Sequence, residues 1–576
     1  MQPNLFARLA PWLLDLVELV LLLAAGALIL LRRSGEKSGN SQPAGFLNIE
    51  RAFVRLARRK TLSIISVGLL VLVLRAALIP VLGIPQPRWN DEFGYLLEAD
   101  TFAHGRVTNP PHPMWVHFES FHIIQHPTYT AMYAPGQGLV LAFGQLLGHP
   151  WIGQYLLNAL MCSALCWMLQ AWVPPKWALL GGLLAALRLA VLSYWMNSYW
   201  CGALAALGGA LVFGALPRLR RRIHVRDALV MAAGVLILAN SRPYEGLIFS
   251  LPVAAAMCVW LWGRDHPPFS VSLPRVVLPM VLVLAVGAAG MGYYYWRVTG
   301  SPFRMTYQVN RATYAMAPYF LWQTPRPEPV YHHAVMRQFY EWELQKFEQN
   351  RTLKGAVVCT WEKISSSWRF YFGPIFTLPL VMLPWAWRDR RLRFPLITGG
   401  VFLLGIAVET WTMPHYVAPA TAVIYIVIIQ CMRHLHVWRR QEGTGVTLVR
   451  TIPVIACAMV VLRVVAAAAH VPLEAKWPRG NLERPRIIRQ LEREPRKDLV
   501  LVRYEPGHDV DWEWVYNDAD IDASPVVWAR DMGPKDNREL LQYFHDRRAW
   551  VLDADQVPAR LEPYTAGNTA EDGRTP

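Results

Sequence analysis

The stretch TLSIISVGLLVLVLRAALIPVLGIPQPRWNDEFGYLLEADTFAHG, residues 61–105, decides how the chain folds. Its first half, 61–84, is an apolar run, and about 20 such residues cross a bilayer as a helix. Its second half, 89–105, opens on two adjacent carboxylates, Asp91 and Glu92. Asn90 is a favourable helix N-cap, acids in a first turn complement the helix dipole, and Gly105 suits a helix end. Read locally, Asp91 and Glu92 cap a helix. Any further role depends on the side of the membrane on which that helix emerges.

Similar runs recur along the chain. Of 576 residues, 54% are hydrophobic and only 17% charged, too apolar for an ordinary soluble protein. The apolar residues come in blocks near 11–31, 61–84, 151–172, 177–196, 200–216, 228–241, 246–262, 275–296, 371–387, 394–412, 415–432 and 451–469. The expected fold is an all-α polytopic membrane protein with about twelve transmembrane helices. The runs are continuous rather than alternating, which speaks against a β-barrel. The net charge of +16 does not point to nucleic acid, because the basic residues concentrate in short loops between the runs. Cys162, Cys166, Cys201, Cys258, Cys431 and Cys457 fall in or at the ends of runs and Cys359 outside them; no Cys-x-x-Cys metal motif occurs.

The basic loops set the topology. Only Arg8 precedes the first run, whereas Arg32, Arg33, Lys37, Arg51, Arg55, Arg58, Arg59 and Lys60 follow it. Residues 1–60 therefore read as one extra helix, with its N-terminus outside, and a basic cytoplasmic loop. This flanking charge also argues against a cleaved signal peptide. The run at 61–84 then crosses outward, and 89–105 emerges on the outer side. By the same count of crossings, three further basic groups are cytoplasmic. They are Arg218, Arg220, Arg221, Arg222 and Arg226; Arg388, Arg390, Arg391 and Arg393; and Arg433, Arg439, Arg440 and Arg450. Charge inside a run is costly. Arg75 and Arg463 can snorkel or pair, while Arg188 has no evident partner in the sequence.

The outer side receives the rest. A membrane domain, 61–470, carries outer loops at 85–150 and 297–370, and a C-terminal domain, 471–576, follows on the same side. The turns NSYW (197–200), SRPYEG (241–246) and TMPHY (412–416) face the same way. Segment 334–350 has helical composition with Phe339, Trp342 and Phe347 as apolar anchors, and is expected to lie on the membrane surface. The C-terminal domain reads as a small soluble α/β unit, with strands at 499–504 and 549–553, a helix at 537–548, and a disordered last dozen residues.

No phosphate-binding Gly-rich loop and no Gly-x-Ser-x-Gly elbow is present, so chemistry falls to outer carboxylates, histidines and arginines. DEFGY (91–95) follows the outward run at once, and its helix ends AHGR (103–106). YAPGQGLVLAFGQLLGHPWIG (133–153) then leads into the next run. In this arrangement, over roughly residues 60–430, the chain resembles the GT-C superfamily of integral-membrane glycosyltransferases. In pattern it most resembles the branch with protein O-mannosyltransferases and lipid A aminoarabinose transferases. The resemblance implies a GT-C-like fold and transfer of a sugar from a polyprenyl-phosphate carrier to an acceptor on the non-cytoplasmic side. Asp91 would be the general base, and Glu92 the neighbouring acid that helps hold the acceptor. Relatives often carry Lys-Pro-Pro where residues 133–135 here read Tyr-Ala-Pro, so another cation must meet the phosphate. Arg242 is the first candidate, then His415 with Tyr416, then Arg304. Against these stand a structural ion pair of Arg242 with Glu245 and interfacial anchoring by Tyr416.

Tyr95, His122, His126 and Tyr133 are candidates for the acceptor groove. His122 and His126 have helical i,i+4 spacing with Glu119 nearby, which would suit zinc, but ordinary hydrogen-bonded loop histidines are the preferred reading. No metal or other cofactor is expected to be required. The expected partners are a polyprenyl-phosphate sugar, a cell-envelope glycan, lipid or protein acceptor, and the lipid bilayer; nucleic acid is not one of them. The branch resembled places the chain in the cytoplasmic membrane of a bacterium, with its site on the outer, periplasmic side. Two other classes remain: a lipid or glycan transporter that cleaves no bond, and an O-antigen-type ligase or polymerase. The transporter is weakened by the lack of an internal repeat, and the ligase by the early position of the carboxylate-bearing loop.

Overall fold

Among the described residues, seven helices are long and apolar enough to cross a membrane: Lys60–Ala77, Pro150–Trp172, Gly202–Arg221, Pro243–Trp262, Phe269–Thr299, Ala418–Val437 and Thr444–Ala468. The chain is a mostly helical, multi-pass membrane protein with a small C-terminal mixed sheet. The computed structural model describes residues 5–35, 44–263, 267–439, 443–471 and 480–565. Lys37, Arg440 and the C-terminal residues 566–576, where disorder is expected, lie outside the described residues.

The chain divides into two compact units. One comprises Met1–Ile84, Gln154–Ala289 and Leu353–Pro478; the other comprises Pro85–Gly153, Gly290–Thr352 and Arg479–Pro576. In the first unit the spans differ in burial. Pro150–Trp172, Gly202–Arg221 and Ala418–Val437 are mostly buried, whereas Phe269–Thr299 and Thr444–Ala468 are little buried along their apolar length. Small residues explain the buried set, because apolar side chains gain little by leaving lipid and close backbone approach supplies the contact. A Cβ at Gly208 would sit 3.0 Å from the carbonyl oxygen of Gly234 on the neighbouring helix Val225–Ala239.

Several of the remaining runs are shortened or broken. Run 177–196 becomes an α-helix, Pro175–Ala185, then a π-helical turn, Ala186–Val191, and an irregular segment. Run 371–387 is divided into Gly373–Leu380 and Leu383–Ala386, with Pro379 and Pro384 at the break. Proline removes a backbone donor and clashes with the preceding turn. The basic segment 32–60, read as a loop, contains the helix Ala44–Arg58. That helix carries Phe53, Val54 and Leu56 among its arginines.

Arg188 finds a partner that spacing alone did not show. Its Nη1 lies 3.3 Å from Glu18 Oε2, its Nε donates to the Phe370 carbonyl at 3.1 Å, and Glu18 also accepts from Ile375 N at 3.0 Å. Glu18 lies in the 31-residue helix Leu5–Gly35 and is buried. Arg75 is also buried, and donates to Asn197 Oδ1 (3.1 Å) and the Gly83 carbonyl (2.7 Å). Arg463 donates to the Leu192 carbonyl at 3.1 Å. Breaking a buried ion pair from one side leaves an uncompensated charge, so Glu18→Ala is expected to cost about 3 kcal/mol. Glu18→Leu combined with Arg188→Met should cost less than Glu18→Ala alone. Apparent melting temperatures in detergent read both, and a double variant weaker than the single one contradicts the pairing.

In the second unit, the helix Asn90–Ala103 packs with Gly136–Leu146, and a two-residue antiparallel pair joins Ile123–Ile124 to Thr130–Ala131. The helix Ala334–Arg351 forms as expected, but two of its three expected apolar anchors are buried within the protein. Phe339 is packed with Phe121, Tyr314 and Met336, and Phe347 is fully buried, leaving Trp342 as the exposed ring. The C-terminal sheet has the order 526–530, 498–503, 548–553, 560–563; the first three strands are parallel and the last antiparallel. Val500, Val502, Trp514, Trp528 and Leu552 form its core with Ile487 and Leu491 of the helix Glu483–Leu491. The expected helix 537–548 is Pro534–Tyr543, because Arg548 already belongs to the strand Arg548–Asp553. The strand Arg560–Pro563 ends on proline and sits at the sheet edge, where a missing N–H is tolerated.

Candidate functional site

The helix Asn90–Ala103 starts immediately after Trp89, and its first turn divides the two acids between two tasks. Glu92 is buried, and its Oε2 accepts from Arg88 N (3.0 Å) and Trp89 N (3.1 Å). It satisfies amides that a helix start would otherwise leave unpaired. Asp91 instead keeps 22% of its side chain exposed. Tyr133 Oη donates to Asp91 Oδ1, and His122 Nδ1 lies 3.0 Å from the same oxygen and 2.8 Å from Tyr133 Oη. Two side chains from separate parts of residues 85–150 thus meet at the Asp91 carboxylate. Both of them, His122 and Tyr133, were marked in the sequence as groove residues.

The surrounding residues hold this cluster in place. Tyr95, one turn after Asp91, stacks on Tyr133 at 4.3 Å between ring centroids, and Tyr307 meets Tyr133 edge-on at 5.9 Å. Gly94 lets the Tyr133 ring approach, since a Cβ there would sit 2.8 Å from Tyr133 Cε2. Thr306 Oγ1 donates to the carbonyls of Met132 (2.7 Å) and Tyr133 (3.1 Å). His122 adopts φ of 61°, a left-handed conformation uncommon for a residue with a Cβ, and its carbonyl accepts from Met132 N at 2.9 Å. Strained backbone of this kind persists where the surroundings over-determine it, often at functional sites.

The histidine spacing has a different outcome. Residues 123–124 are extended, so His122 and His126 do not share a helix face. His126 is exposed beside Trp115, with ring centroids 4.8 Å apart. Glu119 accepts from Tyr314 Oη (2.9 Å) and lies 2.8 Å from His332 Nδ1. The zinc arrangement of His122, His126 and Glu119 is therefore not formed, and no group of three or more His, Cys, Asp or Glu suited to a metal occurs among the described residues.

A further acid on the Asp91 helix has a different environment. Glu98 is buried against Tyr294 and Tyr295, and burial pushes its carboxyl well above the usual carboxylate range. Raising a folded-state carboxyl above its ordinary 4.5 means that folding binds a proton, so the contribution of Glu98 to stability is greatest below pH 4.5 and declines as pH rises. The melting temperature of Glu98→Gln relative to wild type is expected to rise steadily from pH 5 upward, by up to about 1.4 kcal/mol of stability per pH unit. A pH-independent difference contradicts this.

In the first unit the three short turns converge. Arg242, at the N-terminus of the helix Pro243–Trp262, lies over the Tyr416 ring at 4.0 Å, with Nη1 3.4 Å from Glu245 Oε1. The ion pair with Glu245 and the stacking on Tyr416 coexist. His415 is buried, its Nδ1 3.1 Å from Tyr194 Oη and its ring edge-on to Trp200 at 4.2 Å. Turns 197–200, 241–246 and 412–416 thus gather one cation and a set of aromatic and imidazole groups. Arg304, in the second unit, is exposed on the turn 301–305. Sequence reasoning passed over Tyr194, Tyr307 and Lys363. Lys363 Nζ donates to the Glu409 carbonyl at 2.6 Å, and burial lowers its affinity for a proton. Only long-range packing reveals these three.

No protein-family model matches the chain, and no curated protein matches it in sequence. Solved structures do resemble it. The Archaeoglobus fulgidus oligosaccharyltransferase, tethered to an acceptor peptide containing the NVT sequon, is 12% identical; 85% of this chain and 69% of that one are covered, with a TM-score of 0.46. The Archaeoglobus fulgidus oligosaccharyltransferase AglB, in complex with an inhibitory peptide and a dolichol-phosphate, is 11% identical over 85% of this chain and 69% of that one, with a TM-score of 0.45. ArnT from Cupriavidus metallidurans, bound to undecaprenyl phosphate, is 12% identical over 85% of this chain and 92% of that one, with a TM-score of 0.48.

Proposed function

We propose that the protein is a glycosyltransferase that moves a sugar from a polyprenyl-phosphate carrier to an acceptor, with Asp91 as general base. The observation that carries this reading is the Asp91 carboxylate itself. It is partly open to solvent and oriented by His122 and Tyr133 on the helix that directly follows a membrane span. A base acts when it is held within hydrogen-bond reach of the proton it takes, and a third group commonly orients it. In the proposed reaction an acceptor hydroxyl or amine bonds to the anomeric carbon as its proton passes to Asp91. The bond from that carbon to the phosphate oxygen breaks, and the carrier phosphate leaves with the electron pair. Arg242 is assigned to the phosphate, with Tyr416 and His415 beside it, because leaving-group charge is best met by a preorganised cation. Glu92 is assigned to shaping the helix start rather than to touching the acceptor. The acceptor is a cell-envelope glycan, lipid or protein, and the reaction takes place on the periplasmic side of a bacterial cytoplasmic membrane.

The test is to purify the protein, supply a panel of polyprenyl-phosphate sugars with envelope extracts as acceptor source, and measure free carrier phosphate. Carrier release from at least one donor is expected. Movement of lipid-linked sugar into vesicles with the sugar–phosphate bond intact would instead identify a transporter.

A further inference from the structure

We propose that segment 512–519 of the C-terminal domain positions the Asp91 helix, with Tyr516 as its central residue. This rests on the reading of Asp91 as base. The contacts of this segment fall on the two elements that carry the carboxylate and its histidine. Tyr516 stacks flat on Phe93, two residues after Asp91, with ring centroids 4.2 Å apart and planes at 6°. Its hydroxyl reaches the carbonyl of Phe121, one residue before His122, at 3.4 Å. Arg484 of the same domain covers Phe93 at 5.3 Å, and Arg88, just before the helix, lies 4.0 Å over Trp512. At the far end of the helix Asp100 Oδ2 accepts from Ala519 N at 2.8 Å, and Asn517 O accepts from Tyr129 Oη at 3.1 Å. The helix is therefore held at both ends and at the turn next to Asp91.

The segment is itself stiffened. Glu513 and Arg530 form a buried ion pair at 2.7 Å, and Arg530 Nε donates to the Glu119 carbonyl at 2.7 Å, three residues before His122. Burial opposes ionisation of Glu513, yet Arg530 and the Tyr504 hydroxyl hold its carboxyl below the usual range, so the pair stays charged. The domain thus places an aromatic stack and a backbone amide directly on the Asp91 helix and a hydroxyl and a guanidinium on the segment before His122. A displacement of about 1 Å of a catalytic group can cost about 10²-fold in rate, so the position of Asp91 relative to His122 is a quantity worth fixing from two sides.

The experiment uses the full-length protein in detergent and a donor that the wild type cleaves. Tyr516→Ala is expected to lower kcat at least about 30-fold with donor KM within about twofold, because the carboxylate is misplaced while phosphate binding is untouched. Tyr516→Phe keeps the stack and should recover most of the loss. Arg560→Gln, on the exposed last strand, should leave kcat unchanged. Independently of activity, carbethoxylation of His122 by diethyl pyrocarbonate, mapped by mass spectrometry, should accelerate severalfold in Tyr516→Ala. Should Tyr516→Ala fail to fold, Phe93→Leu removes the ring stack with less lost volume and is read in the same way. A folded variant that keeps wild-type kcat and wild-type His122 modification overturns the proposal. If Asp91→Asn retains wild-type kcat, the base assignment fails, while the His122 modification rates still decide whether Tyr516 positions the two elements.

Discussion

Asp91→Asn is expected to lower kcat for carrier release by about 10² to 10⁴, the range typical of losing a positioned general base. Asparagine preserves the shape of the side chain but cannot accept the acceptor's proton. Its amide would also confront the Tyr133 hydroxyl and His122 Nδ1, both of which now face one carboxylate oxygen. The base acts in the transition state rather than in donor binding, so donor KM should change little. Steady-state release of polyprenyl phosphate from the best donor measures both parameters. Equal kcat in wild type and variant removes Asp91 from the mechanism. Glu92→Gln offers a contrast, since its expected effect is on stability through the two amides it caps.

Arg242→Ala should lower kcat/KM for the donor by about 10² to 10³, comparable to removing one donor that meets developing oxyanion charge. Arg242→Lys should rescue only in part, because a lysine neither stacks on Tyr416 as a planar cation nor offers a forked pair of donors to phosphate. The competing structural role makes a different prediction. If Arg242 serves only to neutralise Glu245, Arg242→Ala lowers the melting temperature while the folded fraction retains its kcat/KM. Glu245→Gln then separates the two: the phosphate role requires that it keep most of the donor affinity.

What could be read in the residues followed from solvent partition and local geometry. A bilayer admits long apolar helices and excludes charge, so continuous runs and arginine-rich loops announced a multi-pass chain. The seven helices that are long and apolar enough to span among the described residues coincide with runs seen in the sequence. The Asn-Asp-Glu stretch of residues 90–92 announced a helix start there, although the N-cap position is taken by Trp89 and Asn90 is the first helical residue. Runs 177–196 and 371–387 show the limit of this reasoning. Apolarity alone says nothing of a π-turn or of where paired prolines divide a helix.

The partners of Arg188, the face that Ala334–Arg351 buries and the fate of the first-loop histidines were settled by contacts far apart in the chain. Glu18 and Arg188 are 170 residues apart, and Tyr516 reaches Phe121 across 395. No periodicity links such pairs. Helical spacing offered His122 and His126 as a pair, yet a left-handed residue followed by a short strand sends His122 to Asp91 and leaves His126 in solvent. The sequence by itself determined that the chain spans a membrane and that a helix opening on Asp91 and Glu92 follows the apolar run 61–84, since both depend on near neighbours. Only the tertiary structure decided which of the two acids is spent on capping and which is left open. That choice depends on Tyr133 and His122 closing over one carboxylate while backbone amides claim the other.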